Sequence, residues 1–250
     1  MSDYPVGATA TTFGVVEALV ERGEAGVTEL ADALDISKGA AHNHLTTLTR
    51  LGFAVREDGR YRLSAGFLDL GTRARERLTV YEAARGDVRR LARASGEVAS
   101  LVVAEDGRAA YLLVRGDAAD EIGHREGRRT PLHASAAGKA ILAHLPDGEV
   151  DAFLDEHTLT PETAQTVTDA GALRDQLQTV RERGVAFDRE EQTPGVRSVA
   201  APLTGEDGTA VGAVSVAGPV DRMSGKRLEE DVTGLIVSRA NSISVEIFSD

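Results

Sequence analysis

Residues 28–63 read TELADALDISKGAAHNHLTTLTRLGFAVREDGRYRL, a run in which apolar spacing changes from helical to alternating within a few positions. Val27, Leu30, Ala31 and Leu34 recur at helical intervals, so the spacing predicts a short helix, with Thr28 placed to cap it. Asp35-Ile36-Ser37 makes a turn, and Ser37 can cap a second helix whose Ala41, Leu45 and Leu48 share one inward face. Ser37, Lys38, His42, Asn43, Thr46 and Arg50 are then left outward or at the edge, where they can exchange hydrogen bonds with a partner. Gly52 ends this helix. Phe53 to Arg56, Glu57-Asp58-Gly59 and Arg60 to Leu63 follow as strand, turn and strand. Upstream, Phe13, Val16, Leu19 and Val20 predict an opening helix that ends near Arg22. The outline is that of a winged helix-turn-helix, in which the second helix enters the major groove of duplex DNA. Arg56, Arg60 and Arg62 of the hairpin would reach the flanking phosphates. Helix pairs with short turns also occur inside packed helical domains, and winged helices also dock proteins. A metabolite-sensing protein whose head binds another protein is therefore the competing expectation.

The chain has 250 residues, enough for two domains with separate cores. It has no cysteine, which excludes disulfides, thiolate metal sites and cysteine nucleophiles. A charged amino terminus and the lack of an apolar run near ~18 residues argue against a signal peptide or membrane span, so a soluble cytoplasmic protein is expected. The net charge of -12 is the wrong sign for binding DNA by bulk attraction. Its distribution matters more. Residues 1–35 hold Arg22 as their single basic residue against seven acidic ones, whereas residues 36–62 hold five basic residues against two acidic. The basic residues of the first domain thus concentrate on the expected recognition helix and wing.

Only three of the 28 basic residues are lysines (Lys38, Lys139, Lys226). Abundant carboxylates with arginine in place of lysine fit a salt-rich cytoplasm, where the Debye length falls to about 3 Å and self-repulsion is screened. A mesophile with a GC-rich genome would give a similar bias.

Composition shifts divide the chain into a winged helix-turn-helix domain (1–65), a helical linker region (66–94) and a second domain (95–250). The linker is rich in Arg, Glu, Ala and Leu and reads as one or two helices broken near Gly86, either a spacer or a dimer-forming arm. Beyond Gly96, Val98 to Ala104 and Ala109 to Val114 form an expected hairpin about Glu105-Asp106-Gly107-Arg108. Helices are expected near 135–145, 150–157 and 172–183, with Gly184 ending the third. Strands at 184–188, 198–203 and 211–217 and a closing helix at 226–247 complete an α+β domain, an antiparallel sheet flanked by helices.

The segment Pro131-Leu132-His133-Ala134-Ser135-Ala136-Ala137-Gly138-Lys139-Ala140 places small residues at a strand-to-helix junction, where backbone amides can approach an anionic ligand. It is no P-loop: His133 stands where the first glycine is required and Ala140 where a Ser or Thr is required. Ser135 and His133 offer parts of a nucleophilic triad without the Gly-x-Ser-x-Gly elbow, and His133 reads better as a structural hydrogen-bonding group. The six histidines are scattered. Neither catalysis, a metal nor a cofactor is expected.

This chain resembles the transcriptional regulators of the IclR family over almost its whole length. The resemblance rests on the head from Val27 through Leu45, the block Pro131 to Ala140, and the segments Arg183 to Glu191, Gly195 to Pro202 and Gly212 to Pro219, in that order and spacing. It implies a winged helix that binds double-stranded operator DNA, a linker helix, and an effector domain similar to the GAF fold. Homodimers or dimers of dimers are implied, with no membrane partner. It further implies a small-molecule effector held against the sheet, with Ala136 and Ala137 as a backbone floor, Asp188 and Ser198 as polar contacts, Ser215 as a second hydroxyl, and Val196 in the wall. Ala217 stands where the family often has a second serine, so one ligand hydrogen bond is missing and the effector's identity does not carry over. Organic acids, aromatic acids and sugar-derived metabolites are the ligand classes implied. Arg125, Arg128 and Arg129 can favour an anion or can be ordinary surface arginines. The recognition helix has Gly39-Ala40-Ala41-His42-Asn43 where relatives often carry Ser-Thr-Val-His-Arg, so the operator sequence does not transfer either. Asn43, if it faces outward, can read adenine in the major groove.

Overall fold

Gly26, not Thr28, caps the first helix of the helix-turn-helix. In the computed structural model, which describes residues 4–247, α1 (Gly7–Arg22) leads through the short strand β1 (Glu24–Ala25) into α2 (Val27–Ala33). Gly26 lies extended ahead of α2, and its N–H donates to the Glu29 carboxylate at 2.8 Å. The acidic residue at the third helical position thus satisfies the orphan donor that Thr28, already inside the helix, is not placed to serve. Asp35 takes a positive φ of 51° in the turn. Ser37 then caps α3 (Lys38–Arg50), its hydroxyl accepting from Ala40 N at 3.1 Å.

Strands β2 (Ala54–Glu57) and β3 (Arg60–Leu63) form the wing. Asp58 and Gly59 both have positive φ, 48° and 82°, as a two-residue hairpin turn that follows the strand twist requires. β3 also pairs with β1, which is too short for an alternating pattern to reveal. Val15, Leu19, Leu30, Leu45, Leu48 and Tyr61 are buried together beneath the three helices. Each of the aliphatic side chains among them contributes about 1.5–3 kcal/mol when withdrawn from water.

The linker region contains two helices, α4 (Gly66–Glu76) and α5 (Thr79–Ser95), and the break falls at Arg77-Leu78 rather than at Gly86. Gly86 sits mid-helix. A stripe of Val80, Ala84, Val88 and Leu91, buried at helical spacing, carries α5 through that glycine, whereas α4 buries none of its residues. The packing gain along this stripe exceeds the ~1 kcal/mol that glycine costs a helix interior. The compact units divide between Ala74 and Arg75, so α5 belongs to the second.

That unit is built on six strands: β4 (Val98–Glu105), β5 (Arg108–Arg115), β6 (Arg129–Pro131), β7 (Ala186–Arg189), β8 (Val196–Thr204) and β9 (Ala210–Pro219). Their order in the sheet is β6-β5-β4-β9-β8-β7, with every neighbouring pair antiparallel. β7 begins two residues later than expected because Gly184, at φ 71°, closes the preceding helix. The edge strand β6 was not anticipated: three residues ending in proline give no alternation to read.

One sheet face packs Leu101, Leu113, Val199 and Leu203 against α5, a π-helical turn (Arg227–Val232) and α9 (Thr233–Ile247), with Leu228, Ile236 and Ile243 in the seam. The other face lies against α6 (Ala136–Leu142), α7 (Asp147–Glu156) and α8 (Ala170–Arg183), through Ile141, Leu142, Phe153, Leu173 and Leu177. Glu97, whose side chain is fully buried just ahead of β4, is clasped by Arg222 and Arg227 at 3.0 and 2.9 Å.

Candidate functional site

On α3 the buried residues Ala41, Leu45 and Leu48 occupy one side, which turns Asn43 and Arg50 to solvent on the other, with Thr46 between them half-buried. Ser37, Lys38 and His42 are exposed along the amino-terminal part of the same helix. Among the described residues, the Lys38 ammonium, the Asn43 amide and the Arg50 guanidinium reach no hydrogen-bond or ion-pair partner. His44, by contrast, faces α1, its Nδ1 2.8 Å from the Thr12 hydroxyl.

The wing arginines do not form a single cluster. Arg56 lies opposite Tyr61 in the hairpin register and stacks over its ring, 5.6 Å from the centroid. Arg60 and Arg62 project from the opposite face of the hairpin. Arg60 is engaged by Glu24 at 2.7 Å and Glu29 at 3.2 Å, and Arg62 by Glu57 at 2.9 Å. The Gly26 amide first, and Arg60 second, hold the Glu29 carboxyl below its usual range. Arg60 thus ties the wing to the start of α2, whereas Arg50 stands free.

In the second unit the alternation of β7, β8 and β9 turns Asp188, Val196, Ser198, Ser215 and Ala217 onto the sheet face that carries α6. Ser198 lies directly opposite Asp188 on one side and Ala217 on the other, and its hydroxyl donates to Asp188 Oδ2 at 3.4 Å. Ala136 and Ala137, at the start of α6, are buried against the same face. All seven residues singled out by the resemblance are therefore brought together. Burial pushes the Asp188 carboxyl up to about 7, against the opposing pull of the Glu191 amide and the Lys139 cation.

Gly138 and Lys139 serve packing in the small-residue segment. A Cβ on Gly138 would lie 2.1 Å from the Leu132 carbonyl oxygen, so glycine lets α6 close on the preceding turn. The Lys139 ammonium meets the Glu191 carboxylate at 2.6 Å, both side chains buried. Ser135 caps α6 by accepting from Gly138 N at 3.0 Å. The buried His133 ring instead pairs with the Thr160 carbonyl at 3.0 Å, so the two residues perform separate structural tasks.

Residues 9–58 match the IclR helix-turn-helix domain, and residues 72–245 match the bacterial transcriptional regulator IclR C-terminal domain. The chain belongs to the IclR family of transcriptional regulators. It is 33% identical over 238 residues to the "Probable HTH-type transcriptional regulator ArcR" of Halobacterium salinarum, a match spanning 93% of this chain and 90% of that protein. The crystal structure of Thermotoga maritima IclR superposes with a TM-score of 0.84 at 25% identity, covering 96% of this chain and 98% of that one. An IclR homologue from Microbacterium hydrocarbonoxydans, solved in complex with 4-hydroxybenzoate, shares the fold with a TM-score of 0.81 at 22% identity, over 97% of this chain and all of that chain (100%).

The IclR-type sheet also buries polar residues that sequence reasoning missed: Ser100, Tyr111, His124, Thr130 and Gln192. Ser100 carried a signal, as a lone hydroxyl inside the apolar run Val98 to Ala104. Gln192 and His124 lie in loops and carried none.

Proposed function

We propose that this protein is a sequence-specific DNA-binding transcriptional regulator of metabolic genes, with an operator affinity set by a small molecule bound on the α6 face of its sheet. The observation that carries the reading is the exposed side of α3, where Asn43, Thr46 and Arg50 share a face and neither the amide nor the guanidinium has an internal partner. An amide there can pair bidentately with adenine and a guanidinium with guanine or phosphate. Lys38 and Arg56 supply further positive charge, and Arg60 and Arg62 do so once released from Glu24 and Glu29 and from Glu57.

Asp188, Ser198 and Ser215 are the effector's polar contacts, with Ala136, Ala137, Val196 and Ala217 shaping the space around it. The effector acts by binding one arrangement of paired heads better than another. Exposed Tyr4, Val6, Phe13 and Val20 in the first unit, with Leu68 and Leu70 on α4, favour assembly as a homodimer or dimer of dimers. No cofactor and no catalysis enter this reading, and the protein works in the cytoplasm. The excess of carboxylates suits concentrated salt, where groove hydrogen bonds matter more than counterion release.

The test is fluorescence anisotropy on the DNA flanking the protein's own gene, in concentrated KCl, with candidate metabolites titrated in. Asn43→Ala and Arg50→Ala should each weaken binding about tenfold or more without moving the melting temperature. Binding unchanged in both variants removes the proposed surface. An operator affinity indifferent to every metabolite that binds removes the switch.

A further inference from the structure

A cleft of about 780 Å³ opens at the end of the sheet where β5 and β9 finish and β4 begins, beside the last turns of α5 and residues 116–121. It lies wholly within the second unit, and none of the seven positions proposed for the effector lines it. Five guanidiniums do: Arg89 and Arg93 from α5, Arg115 from the end of β5, and Arg222 and Arg227 from beyond β9. Against them stand the carboxylates of Glu97, Asp117 and Glu121. Five cations against three anions leave the walls at +2, in a chain whose net charge is -12.

Two of these cations are set in place from beneath. Arg222 donates from Nε and Nη2 to the two oxygens of Glu97, each at 3.0 Å. Arg227 donates from Nη2 to Glu97 at 2.9 Å and to the Ser95 carbonyl at 2.8 Å. The Glu97 side chain is fully buried, whereas those of Arg222 and Arg227 remain 48% and 45% exposed, so their Nη1 groups are left to face solvent. One buried carboxylate thus orients two guanidiniums yet cancels only one of their charges. Arg115 is steadied in the same way by Glu126 at 2.6 Å. Arg89 and Arg93 are exposed and, among the described residues, make no hydrogen bond or ion pair. They stand four apart on one helix face, where like charges repel. Between the charged groups the lining is alanine and glycine, with no aromatic ring among the described residues. Nothing there would stack a planar ligand or shelter a hydrocarbon tail.

We propose that this cleft binds a compact polyanion carrying two or more linked phosphoryl groups, at a site separate from the effector's. Guanidinium forks match both carboxylates and phosphates. A carboxylate offers two oxygens in one plane and satisfies a single fork, whereas a phosphoryl group offers three oxygens in a pyramid and can be met from more than one wall. Here the forks arrive from three elements: the unpaired Arg89 and Arg93, the preset Arg222 and Arg227, and Arg115. Linked phosphoryl groups let one small ligand answer several of them at once. Asp117 and Glu121, exposed on the 116–121 segment, act in the opposite sense, and Glu121 is felt electrostatically by Arg222. They raise the charge that a ligand must bring, which disfavours a singly charged anion. The backbone of duplex DNA is convex and suits a ridge or a flat basic face better than a cleft.

Isothermal titration of the full chain with sodium triphosphate, diphosphate, orthophosphate and citrate, at one moderate salt concentration, tests the proposal. Triphosphate should bind at least tenfold tighter than orthophosphate or citrate. Arg89→Gln and Arg93→Gln remove side chains that hold no other part of the fold, so each should weaken triphosphate binding about tenfold while the melting temperature stays put. Glu121→Gln should tighten binding about threefold, a gain that a loosened fold would not give. No binding of triphosphate, citrate or orthophosphate bound as tightly, an affinity unmoved by both arginine variants, or weaker binding in Glu121→Gln overturns the proposal. So does a loss in Ser198→Ala as large as that in Arg89→Gln, which would put the ligand in the effector site. Duplex DNA that displaces triphosphate from the wild type but binds Arg89→Gln poorly would make the cleft a DNA contact, and overturns it too. Operator recognition through α3 is measured separately, so failure here leaves the regulator reading untouched.

Discussion

Replacing Lys139 by Met should destabilise the second unit severely, and the local geometry sets the size of the effect. The ammonium and the Glu191 carboxylate are 2.6 Å apart, with side chains only 3% and 8% exposed. The Glu191 backbone is held on two sides, which keeps its carboxylate at this site: its N–H donates to Asp188 Oδ1 at 2.7 Å and its carbonyl accepts from Thr166 at 2.7 Å and Thr163 at 3.2 Å. Its second carboxylate oxygen, Oε2, is buried without a partner, so Lys139 is the group that compensates the charge. Removing one member of such a pair costs about 3–5 kcal/mol, because the survivor stays desolvated. In a domain of this size each kcal/mol lowers the melting temperature by about 2–4 °C, which gives a fall of about 6–20 °C. Methionine keeps the packing of the lysine stem, so a cavity contributes little. Lys139→Met with Glu191→Leu should recover most of the loss, since an apolar pair of similar volume is neutral or better there. Scanning calorimetry of wild type, both single variants and the double variant at one salt concentration measures the cycle. A single-variant shift under about 2 °C, or a double variant no more stable than Lys139→Met, refutes the reasoning.

Two buried groups should oppose each other in the pH dependence of stability. Asp188 is pushed up to about 7 by burial, so the folded chain keeps a proton that the unfolded chain has released, and this residue's contribution declines as pH rises from about 4 to 7. His124 is pushed down to about 4, chiefly by burial, so its contribution declines as pH falls from about 6.5 to 4. Each slope approaches 1.4 kcal/mol per pH unit. Asp188→Asn should therefore steepen the acid loss of stability and His124→Gln should reverse it, as urea denaturation at pH 5 and 7 would read; parallel profiles for all three proteins contradict the assignment. Gly138→Ala should cost about 3 kcal/mol or more, since its Cβ would meet the Leu132 carbonyl at 2.1 Å. A melting temperature near wild type would mean that the turn at Leu132 yields more readily than its packing suggests.

The head was legible because its signals are local. Ser37 as cap, the buried triplet Ala41, Leu45 and Leu48, and the Asp58-Gly59 turn each act within a few residues, and each stands where the spacing places it. Thr28 misled because two capping chemistries competed for one helix start, and the reciprocal contact of Glu29 prevailed. Gly86 misled because propensity carries no knowledge of the apolar face that α5 lays on the sheet. The strands β4, β5, β8 and β9 were visible as apolar runs, but their order was not, since β4 pairs with β9 across more than a hundred residues. The seven positions proposed to hold an effector came from resemblance and share one face. Thr130, His124 and Gln192 escaped notice because a polar residue in a short strand or loop looks like solvent-facing residue until the tertiary fold buries it.

That β4–β9 pairing also dictates an order of events on the ribosome. All strands of the head are complete by Leu63, whereas the central strand of the regulatory sheet lacks one neighbour until Pro219 has been added, and Glu97 waits still longer for Arg222 and Arg227. At translation rates of about 5–20 residues per second, a nascent chain carries a foldable head for roughly 8–30 s before its second unit can close. Any chain truncated in that interval would retain the helix-turn-helix head but lack the closed sheet of the second unit.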